Sequence, residues 1–318
     1  MNEEINIISV IILSYNRCAE VLETISRLND LSVQFNYPLE IIVVDNGSSD
    51  DTSQRIKSLH NDIILVRKDT NAGIAGWNDG FNVARGKYFL VLDDDSCVEN
   101  GFIDAINYME NNSQVGILAL NIVDKNLDGD PHLNEEEAWK DKENIVGFIG
   151  CGALIRRKLY EDIGGFATWI FVYSHEFEYS IRCLNAGYEI RFFEDCNVIH
   201  RASQVNRSFK RIRTYSVRNE LAIVYKYFGH NKTKYLFRIF INNLKFMKRE
   251  GLKAGYFILT GSMKFMLMRK ILSLTPVSIQ AQDFYAAHFW STKPIFASSR
   301  KKHDNIMQQK VKKNIINA

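Results

Sequence analysis

The sequence predicts an α/β protein with a mostly parallel sheet. Two observations carry this. Apolar, β-branched runs of strand length alternate with segments of helical spacing, the pattern of a parallel sheet covered by helices. Polar turns of definite composition follow three of those runs, SYNR at 14–17, DNGSSDD at 45–51 and DDDS at 93–96.

Taken in order, residues 7–13 (IISVIIL) are almost continuously apolar, as a strand buried on both faces requires. Val21, Leu22, Ile25 and Leu28 then recur at helical spacing. Residues 40–44 (EIIVV) form a second strand, 52–59 a helix, and Ile63 to Val66 a short third strand. NAGIAGWNDGFNVARG contains a helix and YFLVL is a fourth strand. A helix-like segment is expected directly after the DDDS turn. Residues 124–144 are polar and acidic, the composition of a loop or flap. An apolar run follows (Ile145 to Ile155), then a helix start, GGF at 164–166, and a helix from His175 to Gly187. Ile190 to Phe193 and Val198 to Ile199 read as two short strands. Beyond Phe209, aromatic and aliphatic residues at helical spacing alternate with Lys and Arg. This predicts a basic α-helical C-terminal extension (210–318) after a first domain (1–209), with a frayed tail after about Ser298.

The chain of 318 residues is 46% hydrophobic and 24% charged, ordinary for a globular protein. Its five cysteines are scattered with no CxxC pair, which argues for reduced thiols in the cytoplasm rather than a disulfide or zinc framework. The N-terminus lacks the basic lead and cleavage site of a signal peptide. The best candidate for a membrane span, Gly255 to Leu274, is interrupted by Lys264, Arg269 and Lys270, so no span is expected. The net charge of +3 conceals a division. Residues 1–200 hold 16 basic and 33 acidic side chains, whereas 201–318 hold 24 basic and 4 acidic. The second part is therefore built to meet something anionic. One reading is a helical lid that packs its aromatics on the first domain with Lys and Arg solvated, another is docking to an anionic membrane face, and a mixture of the two is expected. The absence of any nucleic-acid module makes nucleic acid the poorer fit.

Asp93, Asp94 and Asp95 end an apolar strand. In parallel α/β sheets ligands sit beyond the carboxyl ends of the strands, and the three polar turns should open on that same edge. Clustered carboxylates there suit a divalent cation with oxygen ligands, Mg²⁺ or Mn²⁺. The plainer alternative is a turn plus a helix N-cap, for which Asp is equally suited.

VIILSYNR, IIVVDNGSSDDT, NAGIAGWNDGFNVARGKYFLVLDDD and GGF…HEFEYSIRCLNAGY, in that order, resemble glycosyltransferase family 2 over roughly residues 7–220. The resemblance implies a GT-A fold binding a nucleotide-sugar of UDP or dTDP type. It further implies that Asp45 contacts the nucleobase and that Tyr15, Asn16 and Arg17 line the same pocket. Asn71, Gly73 and Asn78 fall near the donor. Asp93 and Asp95 meet ribose and metal, with Asp95 the direct ligand and Asp94 beside them in the donor site. His200 stands where many relatives carry a histidine, as a metal ligand or as a hydrogen-bonded core residue. The acceptor-side acidic motif falls on His175-Glu176-Phe177-Glu178. It casts Glu176 as catalytic base, with Glu178 as the alternative. This run departs from the family's usual Glu-Asp: the base is Glu, and His replaces the preceding acid. SVRN at 216–219 resembles a stretch in bacterial relatives that build surface polysaccharides, with Arg218 facing phosphate or a buried acid. The expectation is an inverting, Mn²⁺- or Mg²⁺-dependent transferase acting on a glycan or lipid-diphosphate-linked saccharide, peripheral on the cytoplasmic membrane face. A nucleotidyltransferase is the first rival, but SYNRCAEV lacks the Gly-rich loop such enzymes carry after the first strand. A non-catalytic sugar-nucleotide-binding protein is the second.

Overall fold

The computed structural model describes residues 8–35, 38–124, 144–201, 208–245, 247 and 251–289. Nearly all of the 124–144 segment and the end of the tail lie outside the described residues. Among the described residues, eight strands form one sheet in the order β3-β2-β1-β4-β7-β6-β8-β5. Its first part is built from β1 (Ile8–Ser14), β2 (Leu39–Asp45), β3 (Ile64–Arg67) and β4 (Tyr88–Asp93), all parallel. β7 (Ala153–Arg156) joins antiparallel to β4 and to β6 (Val115–Asp124). β8 (Glu189–His200) runs parallel to β6, and β5 (Ser96–Asn100) closes the edge antiparallel to β8.

Side chains alternate across this sheet because the strand period is two. On β1 and β4, Ile8, Val10, Ile12, Tyr88, Leu90 and Leu92 face one apolar cluster, closed by α1 (Cys18–Phe35) and α4 (Phe102–Asn111). Ile11, Phe89 and Val91 face a second, closed by α3 (Trp77–Val83), α5 (Arg157–Ile163) and α6 (His175–Asn185). The short helix α2 (Thr52–Leu59) packs Ile56 into the first cluster. Both faces of the parallel strands are covered, which explains why their sequences read as continuous apolar runs.

The described part of the C-terminal segment is helical. It comprises α7 (Phe209–Tyr227), α8 (Lys232–Leu244), α9 (Leu252–Met268) and α10 (279–289). A third apolar cluster unites Phe177 and Ile181 of α6 with Val217, Leu221 and Val224 of α7, Ile258 and Phe265 of α9, and Tyr285 and Phe289 of α10.

Two local expectations change. Ser96–Asn100 is a strand, so the helix after DDDS starts only at Phe102, behind Gly101 in the left-handed conformation at φ 70°. An alanine Cβ at 101 would also lie 1.8 Å from the Asp195 carbonyl oxygen. The two short strands at 190–193 and 198–199 are one strand, β8, because pairing with β6 continues through a register shift past the polar Glu194-Asp195 step.

Candidate functional site

Parallel register brings the three polar turns together. Ser14 pairs with Asp45 across β1 and β2, and Leu13 with Asp93 across β1 and β4. Their turns therefore open side by side at one edge, onto a cleft of about 550 Å³.

The DDD turn is neutralised from behind. Arg17 Nη1 lies 2.9 Å from Asp94 Oδ1 and 3.1 Å from Asp95 Oδ2, and His200 Nε2 lies 3.3 Å from Asp95 Oδ1. The Asp94 carboxyl is pushed up to about 7, by burial first and also by the neighbouring Asp93 and Asp95 charges, against the downward pull of Arg17. The turn's backbone is held by Thr24 Oγ1 and Arg201 Nη2, which donate to the Asp94 carbonyl at 2.7 and 3.1 Å. The Arg201 amide donates to Asp95 O at 2.8 Å. This arrangement tolerates three adjacent acids and leaves Asp93, Asp94 and His200 lining the cleft. Asp95, expected as the direct metal ligand, is fully buried behind them and is not part of the lining. Asp93, His200 and Cys151, from the loop before β7, place donor atoms within 4.8 Å of one another. That carboxylate, imidazole and thiol set is chemically able to hold a divalent ion.

The first two turns lock each other. Asn16, at φ 53°, receives Ser49 N–H on its Oδ1 at 2.7 Å and donates its own amide to Ser48 Oγ at 2.9 Å. Asp45 accepts from Ser48 N at 2.9 Å and from the Ser53 hydroxyl. Asn16 and Asp45 are thus engaged within the turns, whereas Tyr15 and Arg17 line the cleft. Asn46, to which the sequence reading gave no role, organises the next loop. Its Nδ2 donates to Asn71 Oδ1 and Gly73 O, and its Oδ1 accepts from Ala72 N at 3.0 Å.

Asn71 and Gly73 line the cleft. Gly73 has φ +64°, and a Cβ there would sit 2.0 Å from the Phe171 carbonyl oxygen, which accepts the Ile74 amide at 2.9 Å. Asn78 lies outside the lining. It clamps the GGF turn instead, donating to Phe166 O at 2.8 Å and accepting from Phe166 N at 2.7 Å.

The acceptor-side motif divides in two. Residues two apart on a helix point about 200° apart. Glu176 lines the cleft, with Oε2 3.1 Å from His175 Nδ1. Glu178 is fully buried on the other side of α6. Both its oxygens are 2.9 Å from Arg182, and it accepts the Tyr227 hydroxyl from α7. It is not part of the cleft lining. His175 is packed rather than solvated: its ring stacks on Trp77 at 5.8 Å and meets Phe166 edge-on at 5.2 Å.

α7 completes the far wall with Ser216 of the SVRN run and with Arg211 and Glu220, for which the sequence carried no signal. Arg218 donates through Nε to Asn219 Oδ1 at 2.8 Å and covers the Tyr215 ring; among the described residues it has no ion pair with a buried acid. Two residues of the SVRN run reach the loop before α6: Arg218 Nη2 donates to Trp169 O at 3.4 Å, and Asn219 Nδ2 donates to Val172 O and Tyr173 O.

The family model described as Glycosyl transferase family 2 matches residues 9–164. An uncharacterized protein of Haemophilus influenzae is 32% identical over 167 residues, 48% of this chain and 89% of its own length. The uncharacterized glycosyltransferase MJ1057 of Methanocaldococcus jannaschii is 25% identical over 257 residues, covering 76% of this chain and 84% of its own. Among solved structures, the mannosyltransferase PcManGT from Pyrobaculum calidifontis, in complex with GDP-Man and Mn²⁺, superposes with a TM-score of 0.55 at 19% identity. It covers 93% of this chain and 84% of its own. S. aureus TarS 1-349 in complex with UDP-GlcNAc gives 0.52 at 17% identity, covering 92% and 91%. The fold shared with these two is the GT-A fold.

Proposed function

Because the chain belongs to glycosyl transferase family 2, we propose that it transfers a sugar, with inversion, from a UDP- or dTDP-type nucleotide-sugar to a hydroxyl of a glycan or lipid-linked saccharide. The observation that carries this reading is one cleft lined at the sheet edge by Asp93, Asp94 and His200 and on the α6 side by Glu176.

In this reading Tyr15 and Arg17 bind the nucleotide beside the Asn46–Asn71–Gly73 loop. Asp93 and His200, with Cys151 at the third corner, fit a divalent cation, Mn²⁺ better than Mg²⁺ because an imidazole is among the donors. When bound, such an ion supplies Lewis acidity toward the diphosphate. Glu176 takes the proton from the acceptor hydroxyl as its oxygen bonds to the anomeric carbon. The bond to the diphosphate breaks, and its electron pair leaves on the nucleoside diphosphate. With Glu176 as base on the α6 side and the diphosphate as leaving group, the reading is one displacement and hence inversion. The nucleotide complexes of PcManGT and TarS support a nucleotide-sugar donor, and the Mn²⁺ of the former supports the metal.

The test is thermal stabilisation by UDP, dTDP, GDP, CMP and ATP, each with and without Mn²⁺. Stabilisation by UDP or dTDP that needs the metal is expected; at 100 times Kd mass action supplies about 2.7 kcal/mol. Failure of every nucleotide to shift the transition would overturn the reading.

A further inference from the structure

The outer face of α9 presents an apolar stripe. Leu252, Tyr256, Leu259, Met263, Met266 and Leu267 are 46% to 83% exposed among the described residues. Their spacing of three and four places them within an arc of about 100°. The opposite face is already used. Ala254, Ile258, Gly261 and Phe265 are buried, and an added Cβ at Gly261 would lie 2.6 Å from the Thr214 carbonyl of α7. α9 is therefore held to the protein by its inner face, and the fold does not require the outer one to be apolar. A contiguous apolar patch of this kind marks an interaction site, unlike scattered single residues.

The charge around the stripe selects the partner. Between Glu250 and Asp283 the chain contains no acid, while Lys253, Lys264, Arg269 and Lys270 are exposed on or next to the helix. By helical position Lys253 and Lys264 border the stripe. A second copy of the same face would bring cation against cation, as like-charged flanks do in paired helices. An anionic bilayer matches both features: apolar side chains enter the headgroup boundary, and lysines meet lipid phosphate. No helix among the described residues is long and apolar enough to cross a membrane. We propose that α9 is a membrane-docking helix that lies flat in the interface of a bilayer rich in anionic lipid. This does not depend on the transfer reading. It does set the cleft close to the lipid, since α7 contacts α9 through Thr214 and Val217 and lines the cleft through Arg211, Ser216 and Glu220.

The experiment is flotation of the full chain with vesicles of phosphatidylcholine alone or of phosphatidylcholine with phosphatidylglycerol, at low and high salt. The wild type is expected to float with the anionic vesicles, and less so at high salt. Leu259→Glu combined with Met263→Glu alters only exposed positions. It is expected to retain the thermal transition and to lose partition by about tenfold or more. Lys253→Ala with Lys264→Ala is expected to weaken binding to anionic vesicles alone. Equal flotation of wild type and the Glu variant, or no flotation of the wild type, overturns the proposal. So does a dimer in light scattering that the same Glu variant converts to monomer without any vesicle, because it assigns the stripe to a second copy.

Discussion

Asn219, fully buried on α7, donates through Nδ2 to the carbonyl oxygen of Tyr173 at 2.7 Å; the same nitrogen lies 2.9 Å from Val172 O. Tyr173 and Ser174 are both in the left-handed conformation, at φ 65° and 59°, immediately before the helix that carries Glu176. Such residues cost of order 1–3 kcal/mol each and persist only where the surroundings over-determine them. The C-terminal helices thus hold the turn that aims the candidate base. Asn219→Ala removes the donor and leaves two carbonyls without it, a loss of about 1–3 kcal/mol. The expected result is a lower Tm and a kcat that falls more than nucleotide affinity. Asn219→Asp is expected to be worse than Ala, because a carboxylate would face two carbonyl oxygens. Calorimetry alongside steady-state kinetics checks both.

Glu176→Gln removes the proposed proton acceptor with little change of shape. Transfer is expected to slow by about 10²–10⁴-fold, with nucleotide-induced stabilisation unchanged. Glu178→Gln strips the buried partner from Arg182 and Tyr227, so its damage should appear first as lost stability, about 3–5 kcal/mol. Urea titration of both variants separates the two roles. An intact Tm for Glu178→Gln together with dead kinetics would reverse the assignment.

Asp93→Asn and His200→Ala are each expected to weaken Mn²⁺ binding by more than about tenfold, read by electron paramagnetic resonance without nucleotide. Asp95→Asn should act indirectly, by loosening Arg17 and His200, and with a smaller effect on the ion. Exhaustive chelation should abolish transfer, and Mn²⁺ should restore it. If Asp95→Asn is the variant that loses the ion, the sequence-based preference for Asp95 stands against the geometry.

Gly73→Ala should be severely destabilising. The position has φ +64°, and the new methyl would sit 2.0 Å from a backbone oxygen that already accepts a hydrogen bond. Backbone strain alone costs of order 1–3 kcal/mol. The expected signature is a Tm drop with nucleotide stabilisation lost, measured in the same thermal experiment.

Stability should carry an acid-sensitive component from Glu40 at the start of β2. Burial alone would raise its pKa, but the Ser9 hydroxyl at 2.5 Å, the Arg85 amide at 2.8 Å and the Arg85 guanidinium at 2.6 Å outweigh it and hold it below the ordinary value of 4.5. With the folded pKa depressed, the unfolded chain binds the extra proton. The contribution is therefore present above about 4.5 and is lost as pH falls through the folded pKa. Glu40→Gln should lower unfolding free energy by about 1–3 kcal/mol near neutrality, with the difference from wild type shrinking below pH 4.5 in urea titrations.

What could be read in the sequence was periodic or local. The apolar runs at 7–13, 40–44 and 88–92 could be placed as buried parallel strands because both their faces are covered, so nearly every position is apolar. The three polar turns could be assigned to one edge because parallel strands all end there. The motif pattern identified the family. The division of labour inside each motif was not legible. Whether Asp93 or Asp95 faces the cleft depends on where Arg17 and His200 come to lie, and those residues are 78 and 105 positions from Asp95 in the chain. Asn46 and Asn219 lie within DNGSSDD and SVRN, but hydrogen bonds to distant backbone groups leave no local pattern in the sequence. The strand at 96–100 was taken for the start of a helix because its partner, β8, lies about a hundred residues further on.

The sequence by itself determined the α/β class, the edge at which the site opens, the family, and the acidic and basic halves of the chain. These follow from the periodicity of side chains along a strand or helix and from the identity of consecutive residues. Only the tertiary structure decided which carboxylate of each acidic run meets the cleft, which is held behind it by Arg17 or Arg182, and which face of α9 remains apolar and exposed. Those outcomes depend on which elements pack together, and contact between residues far apart in the chain is a property of the packed whole.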